Sequence, residues 1–511
     1  MKVDRYKATG LVFIAGLTLL APSPAKSGQE GSERPTPVNP VLEWNQIFID
    51  TLVATNTANS SSQRLGAIVH TAIFDAYNGI EQRYTPIFIH DRAPRGASRR
   101  AAVIAAAYTV LAGLFPSRKP ELDSSYAASL AALSGGEKDS GRSRERGIAW
   151  GTEVALEVLA WRATDGFAAS YPAFIGGTSV GQWRPTPPAF GPMSAQGLAF
   201  CDMFVLAGNT QFQPRPPRSL TNATYTDDFN AVKALGRRTG STRTEDQTAL
   251  AVFWEGNASV HWNQAANQMA RANHLSLSNA NRLLAELNIA MADTAFTIWS
   301  AKRFYGSVPF DVTWRPVTSI PLADTDGNPG TVADPDWLPL INTPSHPEYP
   351  AGHPSLNGAA ATVLLSHFRP QQTFTLTTTG QPSRTYTSIL QARSDGNQAR
   401  VWGGMHYPST VEISDAVGEA IAKYMQAIAK AIDWAYSDPK AIEFYAKVAK
   451  VSVPVAKKSV DEFFPKSAFA LGTIHGVQKT LDEALEYKRI SEKKTEKDAA
   501  GLFDIVYKPK M

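Results

Sequence analysis

The sequence predicts a mostly α-helical protein, a helical bundle with long irregular loops and at most a short hairpin. Three observations carry this. Apolar residues recur at i, i+3, i+4 and i+7 through long stretches, the period of one helix face. Several of these stretches are Ala- and Leu-rich and stop at Pro or Gly. Alternating β-branched runs, the mark of half-buried strands, are few.

Residues 28–40 (GQEGSERPTPVNP) read as a flexible lead-in. VLEWNQIFIDTLVATN and SSSQRLGAIVHTAIFDAYNGI then show the helical period. Serines suited to N-capping open the second, and Asn78-Gly79 is its expected stop. RRAAVIAAAYTVLAGLF is a helix ended by Pro116, and RERGIAWGTEVALEVLAWRA is another. Residues 165–225 are rich in Gly, Pro, Ser and Thr and read as one irregular stretch, either functional or wrapped over a helical body. Helices resume in DQTALAVFWEG, SVHWNQAANQMARANH and SNANRLLAELNIAMADTAFTIWSAKRFY, followed by a Pro/Gly-rich region at 306–352. LNGAAATVLLSHF is a helix, TFTLTTTGQPSRTYT a hairpin, and VEISDAVGEAIAKYMQAIAKAI a helix again. The tail beyond is Lys-rich and amphipathic.

Of the 511 residues 43% are apolar and 19% charged, a globular composition. Fifty basic and 46 acidic residues leave a net charge of +4, too balanced to argue for nucleic acid, although such a sum hides a local cationic pocket. Cys201 is the single cysteine, which excludes an intrachain disulfide and a thiolate metal cluster. Its apolar setting in GLAFCDMFVLAG makes it a buried small hydrophobe. The N-terminus has the layout of a secretory signal, with basic MKVDRYK, apolar LVFIAGLTLLA and then small residues, cleaved after Ala25 or Ser27. The expected organisation is a signal peptide over 1–27, the lead-in over 28–40, an α-helical domain over 41–435 and a helical C-terminal extension over 436–511. The mature chain is expected to be periplasmic or secreted without a membrane span, and a homo-oligomer is left open.

Cationic residues gather with backbone punctuation in three stretches. AKRFYGSVPFDVTWRPVTSI holds Lys302, Arg303 and Arg315; HPEYPAGH spans His346 to His353; QARVWGGMHYPS places Arg400 six residues before His406. An oxyanion needs forked donors, a point charge and backbone N–H groups; Arg supplies the forks and Lys the point charge. Gly352 lets backbone approach an anion, and the helix that follows would aim its N-terminal N–H groups there. A histidine in such a pocket can be nucleophile, ligand or proton carrier, and His353 and His406 are both available. There is no HExxH and no G-x-S-x-G elbow.

The order of these pieces resembles the signature of the vanadium-dependent haloperoxidases, the bacterial haloperoxidase-like branch of the type-2 phosphatidic acid phosphatase superfamily. Its usual form is Lys-x6-Arg-Pro, Pro-Ser-Gly-His, then Ser-Arg-x5-His-x3-Asp, and WRPVTSI, HPEYPAGH and ARVWGGMHY are similar to most of it. QRLGAIVHTAIFDAYNGIEQRYTPI, NASVHWNQAANQMA and RLLAELNIAMADTAFTIWSAK resemble that branch's helices, so the likeness spans roughly residues 40–435.

The resemblance implies roles. His406 would be the axial vanadium ligand, or the nucleophile of a phosphatase. Lys302, Arg315 and Arg400 would neutralise the equatorial oxygens, with the Gly352 N–H donating to one, and Lys302 would also act catalytically by polarising bound peroxide. His353 would be the general acid/base, His346 would tune it, and Trp314 is expected to pack on the pocket wall. The implied cofactor is vanadate, the co-substrate hydrogen peroxide, and the partners a halide (bromide or iodide) and a small organic acceptor. The alternatives are a phosphomonoester hydrolase with a phosphohistidine, or a catalytically weak binder of phosphate or vanadate. Four departures stand out. Lys302 lies 13 residues before Arg315, Ala351 and Ala399 replace serines, and Thr410 stands where the Asp is expected, with Glu412 or Asp415 as substitutes. His70 and Asp75 are read as a structural pair, and His261 and Trp262 as packing near the site or between helices.

Overall fold

The computed structural model describes residues 39–133, 140–309 and 311–463, of which the side chain of residue 463 is left aside. The signal-peptide reading, most of the lead-in and the tail beyond residue 463 lie outside the described residues. Fifteen α-helices, a few short 3-10 turns and one two-stranded antiparallel hairpin make up the regular structure there.

Asn39 caps α1 (Pro40–Ala54) through its side chain onto the Val41 N–H, with Pro40 at the first helical position. Helix α2 (Asn59–Glu81) is buried along most of its length. It runs past the expected stop at Asn78-Gly79 and ends at Gln82, whose φ is 51°. Gly79 serves packing instead: a Cβ there would sit 2.4 Å from the Trp150 ring. The Asn78 side chain bonds both the N–H and the C=O of Tyr84. α3 (Arg99–Leu114) packs between α2 and α5 (Gly141–Ala163). α4 (Lys119–Ala132) went unread in the sequence because it buries only Leu122 and Ser129 and shows no apolar stripe.

Irregular chain from 164 to 222 carries one short 3-10 turn. Asp293, fully buried, gathers it by accepting the backbone N–H groups of Phe204, Val205 and Leu206. α6 (Ala223–Leu235), α7 (Glu245–Phe253), α8 (Ala258–Ala272) and the 30-residue α9 (Leu277–Gly306) follow. The four-residue α10 (Pro316–Ser319) then leads to α11 (Gly352–His367). β1 (Gln371–Leu376) pairs β2 (Arg384–Ser388), with Phe374 opposite Tyr386. α12 (Ile389–Trp402), α13 (Pro408–Ser437), α14 (Pro439–Ala449) and α15 (Val453–Phe463) complete the described chain. α13 runs unbroken through residues 435 and 436.

The central layer is α2 on α9, α9 on α11 and α11 on α13. α11 and α13 approach so closely that a Cβ on Gly418 would lie 1.8 Å from the Ser355 carbonyl oxygen. This contact holds the first turn of α11, which opens onto the site, against the body of α13. His70 and Asp75 are structural but not a pair. His70 Nε2 donates to Asn45 Oδ1 at 2.9 Å, whereas Asp75 accepts the N–H groups of Ile87, Phe88 and Ile89. His261 stacks on Phe253, Trp262 Nε1 donates to Asn357 Oδ1, and Cys201 is buried.

Candidate active site

Two helix ends and one proline-rich loop build a pocket of about 250 Å³ lined by His346, Gly352, His353, Arg400, His406 and Trp299, among others. The spacing from Arg400 to His406 is a helix cap. At the end of α12 the Met405 N–H bonds the Arg400 carbonyl and the Gly404 N–H bonds the Val401 carbonyl, with Gly404 at φ +77°. This paired pattern needs glycine in the left-handed position, which explains GGMH. The second stretch is pinned by the Glu348 N–H on the Thr313 carbonyl and the Ala351 N–H on Ser414 Oγ. α11 begins at Gly352 without a side-chain cap, since Ala351 holds the N-cap position.

His406 lies between a carboxylate and a guanidinium. Its Nδ1 is 2.9 Å from Glu348 Oε1, and its Nε2 is 3.1 Å from Arg315 Nη1. Glu348 is fully buried and also accepts the Tyr407 N–H and the Thr410 hydroxyl. Arg315, also fully buried, donates Nε to the His346 carbonyl, Nη1 to the Met405 carbonyl and Nη2 to His346 Nδ1. Arg400 donates Nη1 to the Trp254 carbonyl, and its Nε is buried without a partner. His353 Nε2 is 3.2 Å from the Gly256 carbonyl and 3.4 Å from Asn59 Nδ2; the shorter contact, to an acceptor, favours the proton on Nε2 and leaves Nδ1 as the basic nitrogen.

Burial, then the neighbouring guanidinium or ammonium charges, holds His346, His353 and His406 well below the ordinary imidazole range, so all three are neutral at pH 7. Burial pulls Arg315 down to about 9 and Arg400 to about 10, both still charged at pH 7. Burial pushes Glu348 up to about 7, against the pull of Arg315.

Gly352, His353, Arg400, His406 and His346 thus meet at the pocket, with Arg315 behind His346 and His406. Lys302 is placed differently: it is fully buried at the end of α9, and Nζ donates to the Pro347 carbonyl at 2.6 Å and the Glu348 carbonyl at 3.3 Å. Trp314 is not on the wall. It lies in a second core cluster, with Nε1 3.2 Å from the Tyr225 hydroxyl, because the chain turns inward at Arg315. The wall tryptophan is Trp299, whose ring centroid is 5.3 Å from that of His346. Neither Glu412 nor Asp415 reaches His406: Glu412 is exposed and Asp415 pairs with Arg393 at 2.6 Å. Sequence reasoning missed Glu348, although a glutamate between the two prolines of HPEYP was the available signal.

Residues 282–433 match the family described as the VCPO second helical-bundle domain. The chain is also similar to the crystal structure of the first bacterial vanadium-dependent iodoperoxidase, with a TM-score of 0.64 and 22% identity over 77% of this chain and 97% of that one. This is the vanadium haloperoxidase fold. Two bacterial vanadium-dependent chloroperoxidase structures share it at 17% identity. The apo form gives a TM-score of 0.55 over 73% of this chain and 93% of that one, and the holo form 0.56 over 78% and 94%. No curated protein sequence matches.

Three features of the haloperoxidase-fold pocket test its fit to a tetrahedral oxyanion. Arg400 Nε is buried and unpartnered, the first turn of α11 is uncapped, and two buried guanidiniums share one buried carboxylate, Glu348 beside Arg315, while Arg400 has only the exposed Glu255 at the pocket rim. Excess buried positive charge of this kind is costly until an anion enters. Vanadate or phosphate suits that donor set.

Proposed function

We propose that this chain is a periplasmic or secreted vanadate-dependent haloperoxidase that oxidises bromide or iodide with hydrogen peroxide, delivering the hypohalous product to a small organic acceptor. The observation that carries the reading is the excess of buried guanidinium charge beside a neutral, carboxylate-backed His406, within the vanadium haloperoxidase fold. His406 Nε2, the Arg400 guanidinium and the Gly352 N–H would hold the oxyanion, with Arg315 behind them exchanging its bond to His406 Nε2 for one to an oxyanion oxygen. When bound, vanadate supplies a Lewis-acidic centre that activates peroxide toward halide.

The chain's own residues do the rest. His353, neutral and partly open to the pocket, offers Nδ1 as the base that takes a proton from peroxide. His346 and Trp299, with ring centroids 5.3 Å apart, form a ring-lined wall beside which a large polarisable halide would pack. Lys302 steadies the loop that carries His346 and Glu348. Ala351 withholds the hydroxyl that a serine would add, and a hydrogen bond to a charged group is worth about 1.5–3 kcal/mol, so affinity for the oxyanion is lowered without loss of the site.

A phosphomonoester hydrolase is the second reading, favoured by the Glu348 carboxylate on Nδ1, which makes Nε2 a better nucleophile toward phosphorus. Two parallel assays separate them on protein freed of metal. Halogenation of a β-diketone by peroxide with iodide, bromide or chloride is followed with and without orthovanadate, beside hydrolysis of an aryl phosphate. Vanadate-dependent halogenation, lost in His406→Ala, supports the haloperoxidase. Phosphate release inhibited by vanadate, without halogenation, replaces it with the hydrolase, and activity in neither leaves an oxyanion binder.

A further inference from the structure

We propose that Glu348 is the positioning residue of His406: a carboxylate delivered by the proline-rich loop, rather than by α13, that fixes the ring's tautomer and so keeps a lone pair on Nε2, where Arg315 Nη1 meets it at 3.1 Å, for the oxyanion. The inference rests on the reading of His406 as the residue that meets the oxyanion.

The tautomer follows from the donors around the ring. Arg315 has only donors, so the nitrogen that its Nη1 faces at 3.1 Å, Nε2, presents a lone pair. The proton is therefore on Nδ1, and the atom 2.9 Å from it, Glu348 Oε1, accepts. Glu348 is in turn held from both sides. The Tyr407 N–H reaches Oε1 at 3.1 Å, the Thr410 hydroxyl reaches Oε2 at 3.1 Å, and Lys302 Nζ grips the carbonyls of Pro347 and Glu348 itself. The carboxylate thus has little rotational freedom, and the ring it holds has little either. Thr410, one turn into α13, has become a donor to this carboxylate. A partner bonded to the far nitrogen of a ligating histidine sets ring orientation and basicity, and its loss typically lowers ligand affinity by about 10–100-fold.

Two near-isosteric variants separate the acceptor from the space it fills. Glu348→Met keeps length and removes the acceptor, whereas Glu348→Gln keeps a carbonyl oxygen for Nδ1–H. Orthovanadate affinity is measured by equilibrium dialysis, and the His406 tautomer by nitrogen NMR on histidine-labelled protein, assigned by subtraction of His406→Gln. Glu348→Met is expected to lose about 10–100-fold in affinity and to show a mixed tautomer. Glu348→Gln is expected to retain the Nδ1–H form and most of the affinity. Thr410→Val, which keeps the side-chain shape and removes the donor, is expected to weaken binding by at least roughly threefold through the freed carboxylate. Unchanged affinity and an unchanged tautomer in Glu348→Met would overturn the proposal. If Glu348→Met fails to fold, an Nε2–H tautomer in the wild type or in Glu348→Gln overturns it equally. Absence of orthovanadate binding by the wild type would instead remove the oxyanion site, while the tautomer comparison would still decide the role of Glu348.

Discussion

Lowering the pH from 7.5 to 5 should destabilise this fold through its buried imidazoles, and His70 isolates one share of that effect. Burial holds His70 at about 3, against 6.5 for an exposed ring. The sign follows from proton counts. Above pH 6.5 both folded and unfolded rings are neutral and the stability is fully present. Below it the unfolded ring takes a proton that the folded ring refuses, so stability is lost as pH falls toward 3. At pH 5 the gap is about 1.5 pH units, which at ~1.36 kcal/mol per unit is about 2 kcal/mol. His70→Gln removes the titration and preserves the contact: Gln Nε2 replaces the donor to Asn45 Oδ1, and the Nδ1 it gives up has no partner. The lost edge contact with Phe48 costs about 0.5–1.5 kcal/mol at every pH. Urea unfolding followed by tryptophan fluorescence at both pH values gives the comparison. The variant should lose about 2 kcal/mol less than the wild type between pH 7.5 and 5. Parallel losses would refute the claim that His70 is buried neutral.

Gly418→Ala should fold poorly, with at least ~3 kcal/mol lost in urea unfolding, because the new Cβ would meet the Ser355 carbonyl at 1.8 Å in a rigid helix contact. Asp293→Asn presents one acceptor oxygen to three backbone N–H groups, and each N–H left unsatisfied costs about 1–3 kcal/mol, so the melting temperature should fall clearly. Cys201, buried and with its thiol pushed up to about 12, should resist a thiol reagent at pH 8 in the native protein and react once in urea. Phosphate or orthovanadate at about 100 times its Kd should raise stability by about 2.7 kcal/mol, and Arg400→Ala should abolish that gain.

The sequence displayed the fold where burial used apolar residues at helical period, as in α2, α9 and α11. It concealed α12, whose buried residues are Ile389, Ala392, Gly396, Asn397, Ala399, Arg400 and Val401, with large apolar side chains only at the two ends and small or polar ones between. The pocket was largely legible because its pieces are short and ordered. Gly404 marks a helix cap, Gly352 a helix start, and the Arg315–Pro316 step a turn into the core. The partners between stretches were not legible. Glu348 meets a histidine 58 residues away, whereas the carboxylates expected to serve it, Glu412 and Asp415, lie close in sequence on α13. Trp314 and Trp299 could not be assigned to wall or core from composition, since both are buried and only the direction of the chain at Arg315 separates them.

The central claim is that an oxyanion sits against His406 Nε2 between Arg315 and Arg400. The most direct test is a crystal of the protein soaked in orthovanadate, with the vanadium located by its anomalous scattering. The account predicts one strong peak within bonding distance of His406 Nε2, absent in His406→Ala. A peak elsewhere, or none at saturating orthovanadate, would contradict it.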